Sequence, residues 1–229
     1  MGYWITAAVD AAYGQSLRAD YTAIVIGARD LDSPTPKVHL LDMYQVRAPM
    51  EAVPGEIERM YDLWRPDSVG VENTLWQAAI VRSMRQSGTV PFHEIDRRKS
   101  RNPDKKTRAG NLAFHYSEGH IWHPRPAPSW MRLWDGTRLL KGADALEYFE
   151  GQLLAFTGDE GRDDHDDLVD AWTDVVDRLT LIRNQETAVR YHGMTWDKTL
   201  PNRDGAVLLN DRVTQRLSDL ARAREEALV

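Results

Sequence analysis

Between Gly161 and Trp172 the chain reads Gly-Arg-Asp-Asp-His-Asp-Asp-Leu-Val-Asp-Ala-Trp, five aspartates in twelve residues, and it continues as a helical stretch from Thr173 to Leu181. Helical spacing sets Asp163, Asp167 and Asp170 at i, i+4 and i+7, on one face. Like charges so placed weaken a helix, and a hard divalent cation such as Mg²⁺ or Mn²⁺, which seeks oxygen ligands, would stabilise them. The same aspartates also suit a solvated helix start, where they cap the first turn and complement the positive end of the helix dipole. A metal site needs further ligands from elsewhere in the chain.

The elements that would position such ligands follow in order. Tyr3–Asp10 reads as a strand ending at an acid, Tyr21–Ala28 as a second strand, and Lys37–Val46 as a third, after the turn residues Asp30 to Pro36. Short connections favour an antiparallel meander for these three. Ile57, Met60, Tyr61 and Trp64 give helical spacing to Val53–Trp64. Ser68–Asn73 is a short buried strand carrying Glu72, Leu75–Gln86 a helix, and Val90–Ile95 a fifth strand. Further helices are expected over Lys105–Glu118 and Ala143–Phe156, the latter with Leu146, Phe149, Leu153 and Leu154 inward and Glu147, Glu150 and Gln152 outward. Gly119–Pro124 suits a short edge strand, whereas Trp130–Leu140 is apolar without a readable role. This order resembles an α/β, ribonuclease H-like fold: a central mixed sheet, three antiparallel strands followed by parallel strands, flanked by helices. Residues 1–183 would form that domain, and 184–229 a linker and C-terminal helical tail.

In such a fold Asp10 ends the first strand, Glu72 ends the fourth and Asp167 starts the late helix. Strand ends and helix starts at one edge of an open sheet are where α/β folds gather ligand groups. Carboxylates gathered there can hold two divalent ions about 4 Å apart, one activating a water and the other stabilising a leaving 3′-oxygen during in-line phosphodiester cleavage. A basic stretch, Arg97 to Arg108, has seven Lys or Arg in twelve residues: Arg97, Arg98, Lys99, Arg101, Lys105, Lys106 and Arg108. In a chain of net charge −6 that clustering suits phosphate contacts, although a solvated loop would look the same.

Four stretches together resemble the nuclease domain of the large terminase subunit of tailed bacteriophages, over roughly residues 3–182. They are Val9-Asp-Ala-Ala-Tyr-Gly with Asp20-Tyr-Thr-Ala; Val69-Gly-Val-Glu-Asn; Asp104-Lys-Lys-Thr-Arg-Ala-Gly with Glu118-Gly-His-Ile-Trp-His-Pro; and Phe149-Glu-Gly-Gln-Leu-Leu-Ala-Phe leading to His165-Asp-Asp-Leu-Val-Asp-Ala. The resemblance implies a metal-dependent endonuclease that cuts concatemeric double-stranded DNA with little sequence specificity, using two Mg²⁺ or Mn²⁺ ions. It makes Asp10, Glu72 and Asp167 the catalytic metal ligands, adds Asp170 as a further ligand, and gives Asp20 and Asp166 accessory places; the direct contact at the helix start stays open between Asp166 and Asp167. It also implies a terminase ATPase domain, a small terminase subunit and a portal as partners, and action in the host cytoplasm, transiently at the procapsid portal.

One departure is plain: no G-x-x-x-x-G-K-[ST] loop occurs, so the chain is an excised domain or a stand-alone relative, and translocation is not attributed to it. With no cysteine, thiolate zinc sites are excluded, and His115, His120 and His123 lack zinc spacing. No apolar run approaches the roughly 20 residues of a membrane span. Trp122, Trp130 and Trp134 suit either base stacking or a core edge. Two rivals remain: a Holliday-junction resolvase-like nuclease, and a catalytically silent docking module of a packaging motor.

Overall fold

A computed structural model describes residues 3–11, 21–47, 52–72, 81–82, 90–95, 104–158 and 166–182. Its elements are β1 (Tyr3–Asp10), β2 (Thr22–Asp30), β3 (Val38–Val46), α1 (Val53–Trp64), β4 (Ser68–Glu72), β5 (Phe92–Ile95), α2 (Lys105–Ser117), β6 (Ile121–Trp122), β7 (Arg132–Trp134), β8 (Leu139–Lys141), α3 (Gly142–Ala155) and α4 (Asp167–Leu181). Among the described residues these strands form one sheet in the order β5-β4-β1-β2-β3-β7-β8, with β6 also pairing β3. β2 runs antiparallel to both β1 and β3, while β4 and β5 run parallel to β1. That is the ribonuclease H-like arrangement, a mixed sheet with helices on both faces.

Alternation along the strands explains the layering. Ile5, Ala7 and Val9 of β1, with Ile24, Ile26 and Ala28 of β2, face a core shared with Val53, Ile57, Met60 and Trp64 of α1. Ala8, Ala23 and Val25 face the opposite core, built with Phe149 of α3 and Leu168, Trp172, Val175 and Leu179 of α4. Strands buried on both faces read as continuous apolar runs, which is why β1 and β2 stand out in the sequence.

α1 is fastened to β3 by a buried polar contact: Trp64 Nε1 donates to Asp42 Oδ2 at 2.9 Å, and the Met43 amide donates to Asp42 Oδ1 at 2.8 Å. Burial pushes the Asp42 carboxyl up to about 6, against these two hydrogen bonds and the nearby Arg59 and Arg132.

On the other face α4 is fixed along its length. At its start the Tyr21 amide donates to Asp167 Oδ2 at 3.1 Å. At its end the Arg29 guanidinium donates to the carbonyls of Leu179 (2.8 Å) and Thr180 (3.3 Å), groups that no helical amide satisfies. Between them, Gly27 lets the helix lie close on β2: a Cβ there would stand 2.6 Å from Val175 Cγ1 and 3.0 Å from the Trp172 ring.

Two features differ from the sequence reading. Trp130–Leu140 contains the β7–β8 hairpin, which extends the sheet beyond β3 because Arg132 and Leu133 pair in parallel with Tyr44 and Gln45. Leu154, expected inside, is 90% exposed, because at about 100° per residue it is turned roughly 140° from buried Phe149. Of the expected helix Leu75–Gln86 only residues 81 and 82 are described, and they are helical; the 184–229 segment lies outside the described residues.

The close approach at Gly27 yields a direct test. Gly27→Ala is expected to destabilise the chain by about 1–3 kcal/mol, the usual cost of overpacking. Urea unfolding measures this, and combining it with Val175→Ala, which removes the nearest atom, is expected to recover part of the loss.

Candidate metal centre

Strand parity carries the acids to one place. On β1, residues 5, 7 and 9 face the α1 core, so Asp10 faces α4. Val9 is paired with Val71 in the parallel β1–β4 ladder, which sets Glu72 beside Asp10 at the same sheet edge. Val69 and Val71 also face the α1 core, so Glu72 shares the α4 face with Asp10. β2 begins at that edge, with Ala23 opposite Asp10. The preceding Tyr21 amide holds the Asp167 carboxylate there.

α4 then presents Asp167, Asp170 and Asp174 at i, i+3 and i+7, a stripe on one helix face. Each of these three, together with Glu72, acts on Asp10. The Asp10 carboxyl is held well above the usual carboxylate range, first by burial and then by repulsion from Asp167, Asp170, Glu72 and Asp174. Asp174 was not singled out in the sequence, although it continues the stripe at i+4 from Asp170.

The flank of α4 turned to α2 is different, because there the acids are compensated. Arg108, its side chain only 8% exposed, donates to Asp170 Oδ1 at 2.8 Å. Lys105 pairs with Asp166, and its Nζ stands 3.9 Å from Asp170 Oδ2. One further turn along, Asn111 Nδ2 donates to Asp177 Oδ1 at 2.8 Å. Asp104 starts α2 as its N-cap, accepting from the Thr107 amide at 2.8 Å.

These contacts also answer why a stripe of acids is helical at all. Like-charge pairs cost about 0.2–0.5 kcal/mol each. The opposite face of α4 buries Leu168, Val169, Trp172, Val175, Val176 and Leu179, at roughly 1.5–3 kcal/mol for each large apolar side chain. Burial wins, so the helix needs no ion to form.

Other residues expected at the site fall as follows. Asp166 is the residue before α4 and faces Lys105, whereas Asp167 reaches the β1–β2 edge through Tyr21. Lys105 and Arg108, expected to touch DNA phosphates, are turned inward onto Asp166 and Asp170; Lys106 is exposed. Asp20, Asp163, Asp164, His165, Arg97, Arg98, Lys99 and Arg101 lie outside the described residues. The histidines are engaged in hydrogen bonds: His115 with His120 at 3.1 Å, and His123 with Tyr116 and Glu150, both at 2.7 Å. Trp130 packs near Trp64 and donates to the Leu41 carbonyl, while Trp122 is 52% exposed.

Among the described residues no three potential ligand side chains converge closely enough to hold a metal ion in this arrangement, and both oxygens of Asp170 are directed at α2 cations. In donor type the set does fit a hard divalent cation: Asp10, Glu72, Asp167, Asp170 and Asp174 offer only carboxylate oxygens, and the last four add their repulsion to the burial of Asp10.

No family model matches the chain, and no curated protein does. Among solved structures it is similar to the Mn-soaked, inhibitor-bound nuclease domain of human cytomegalovirus terminase, with a TM-score of 0.48, 15% identity and coverage of 82% of this chain and 86% of that one. It is also similar to Thermus thermophilus RuvC, with a TM-score of 0.38, 15% identity and coverage of 75% and 90%.

The field at Asp10 has a consequence for stability. A carboxyl whose pKa is raised on folding costs nothing while it is protonated in both states, and destabilises the fold as pH rises past its unfolded value near 3.8. Asp10→Asn is therefore expected to raise the Tm of the metal-free protein at pH 7, by roughly 2–4 °C per kcal/mol relieved, and to leave it unchanged below about pH 3.5. Thermal melts of both proteins across pH 3–8 measure the difference.

Proposed function

We propose that the chain is a divalent-metal-dependent endodeoxyribonuclease of the terminase type, cutting double-stranded DNA with little sequence specificity. One observation carries the reading: Asp10 and Glu72 end neighbouring parallel strands on the face where α4 presents Asp167, Asp170 and Asp174. Asp10, Glu72 and Asp167 serve as the central ligands, with Asp170 beside them. A pair of Mg²⁺ or Mn²⁺ ions, when bound, supplies the charge that activates a water and stabilises the departing 3′-oxygen.

The chain's own residues do the rest. Burial around Asp10 keeps the acids in a low-dielectric setting where charge counts for more. The Tyr21 amide and the Arg108 guanidinium fix the carboxylates of Asp167 and Asp170. Lys106 at the start of α2, with the basic residues Arg97, Arg98, Lys99 and Arg101 before it, supplies phosphate contacts that position the duplex without reading sequence. No side chain acts as nucleophile. By the sequence resemblance, the partners are a terminase ATPase domain, a small subunit and a portal, and the setting is the host cytoplasm, transiently at the procapsid portal. Residues 184–229 form a separate linker and tail in this reading.

Nicking of supercoiled plasmid by the purified chain with Mn²⁺ tests the proposal. Asp10→Asn and Asp167→Asn are each expected to abolish cleavage, and undiminished nicking by both would remove the proposed site. A four-way junction in the same assay distinguishes a resolvase, which would cut it in preference to linear duplex. A chain that binds its partners and cuts nothing would instead be a docking module.

A further inference from the structure

Asp170 belongs to two groups at once. It contributes to the negative field around Asp10, and it also faces α2, accepting from Arg108 on Oδ1 at 2.8 Å, while the ammonium of Lys105, paired closely with Asp166, stands 3.9 Å from Oδ2. The two cations are not equivalent. Arg108 is buried, with a planar guanidinium set for a fixed directional contact. Lys105 is the first residue of α2, stands beside exposed Lys106, and has a side chain 18% exposed. Its ammonium is a mobile point charge on a flexible stem, packed over the Phe156 ring at 5.4 Å. Of the two, Lys105 is the cation that can leave.

We propose that Lys105 is an internal counter-ion that competes with a divalent cation for Asp170, so that the free chain binds metal weakly until a nucleic-acid phosphate draws Lys105 away. The inference rests on the reading of the acids as a metal centre. Its physical basis is simple: a divalent ion bound at Asp170 and an ammonium standing 3.9 Å from that carboxylate repel each other. A phosphate arriving at the start of α2 offers Lys105 an alternative anion, so substrate and metal would enter together.

Mn²⁺ binding to the full chain, followed by titration calorimetry and by the electron paramagnetic resonance signal of free Mn²⁺, tests this without reference to cleavage. In DNA-free solution Lys105→Gln is expected to bind Mn²⁺ more tightly than the unaltered chain, on the order of tenfold. Lys105→Met, which keeps an apolar stem against Phe156, is expected to do the same. Lys37→Gln removes an equal charge from an exposed position at the far end of the sheet and is expected to leave binding unchanged. Adding a short duplex should tighten Mn²⁺ binding by the unaltered chain more than by Lys105→Gln. Equal or weaker binding by both Lys105 variants, or an equal gain from Lys37→Gln, overturns the proposal while the metal centre stands. If the unaltered chain binds no Mn²⁺ with or without duplex, the metal centre itself falls, and this proposal with it.

Discussion

The close seating of α4 on β2 is the constraint from which the rest of the chemistry-bearing face follows. It depends on Gly27, where the absence of a side chain admits Val175 and Trp172, and on polar contacts at either end of the helix. Trp172 is fully buried and still satisfied, since its Nε1 donates to the Tyr116 hydroxyl at 3.0 Å. That bond ties α2 to α4, and Phe149 of α3 packs edge-on to the Trp172 ring. Three helices are thus referred to one strand, so the Asp167 carboxylate and the end of β1 keep a fixed relation.

Charge is distributed unevenly across that helix. On the α2 side, Lys105, Arg108 and Asn111 run along Asp166, Asp170 and Asp177 as a ladder of ion pairs and amide contacts. Towards the sheet, burial and the carboxylates of Asp167, Asp170, Glu72 and Asp174 together raise the Asp10 pKa. Buried like charges are costly, and folded chains retain such clusters where a cation or a proton relieves them. Asp170 belongs to both groups, held by Arg108 on the α2 side and adding to the repulsion at Asp10.

The opposite face of the sheet serves support. Its core joins α1 to β1 and β2 through Ile57, Met60 and Trp64, and its buried ionisable contact, Asp42 with Trp64, is satisfied internally. β1, which carries Asp10, is thus packed between the α1 core on one face and α4 on the other, so the acid sits on a strand held from both sides.

What the sequence determined by itself is what local pattern can encode. Apolar runs and periodicity located β1, α1, β4, α2 and α4 within a residue or so, and the order of strands implied the mixed sheet. Alternation and strand ends also singled out Asp10, Glu72 and Asp167 as residues that a folded sheet could gather. Pairing partners were not encoded locally: the β7–β8 hairpin consists of two three-residue strands whose role depends on the exposed edge of β3. Nor could charge composition foretell which cations face inward. Lys105 and Arg108 read as part of one basic stretch, yet helix α2 turns them onto α4 and leaves Lys106 outside, because residues three apart share a helix face and the next one does not. Only the packing of α2 against α4 decided that, and with it that Asp166 and Asp170 are the acids these two cations meet.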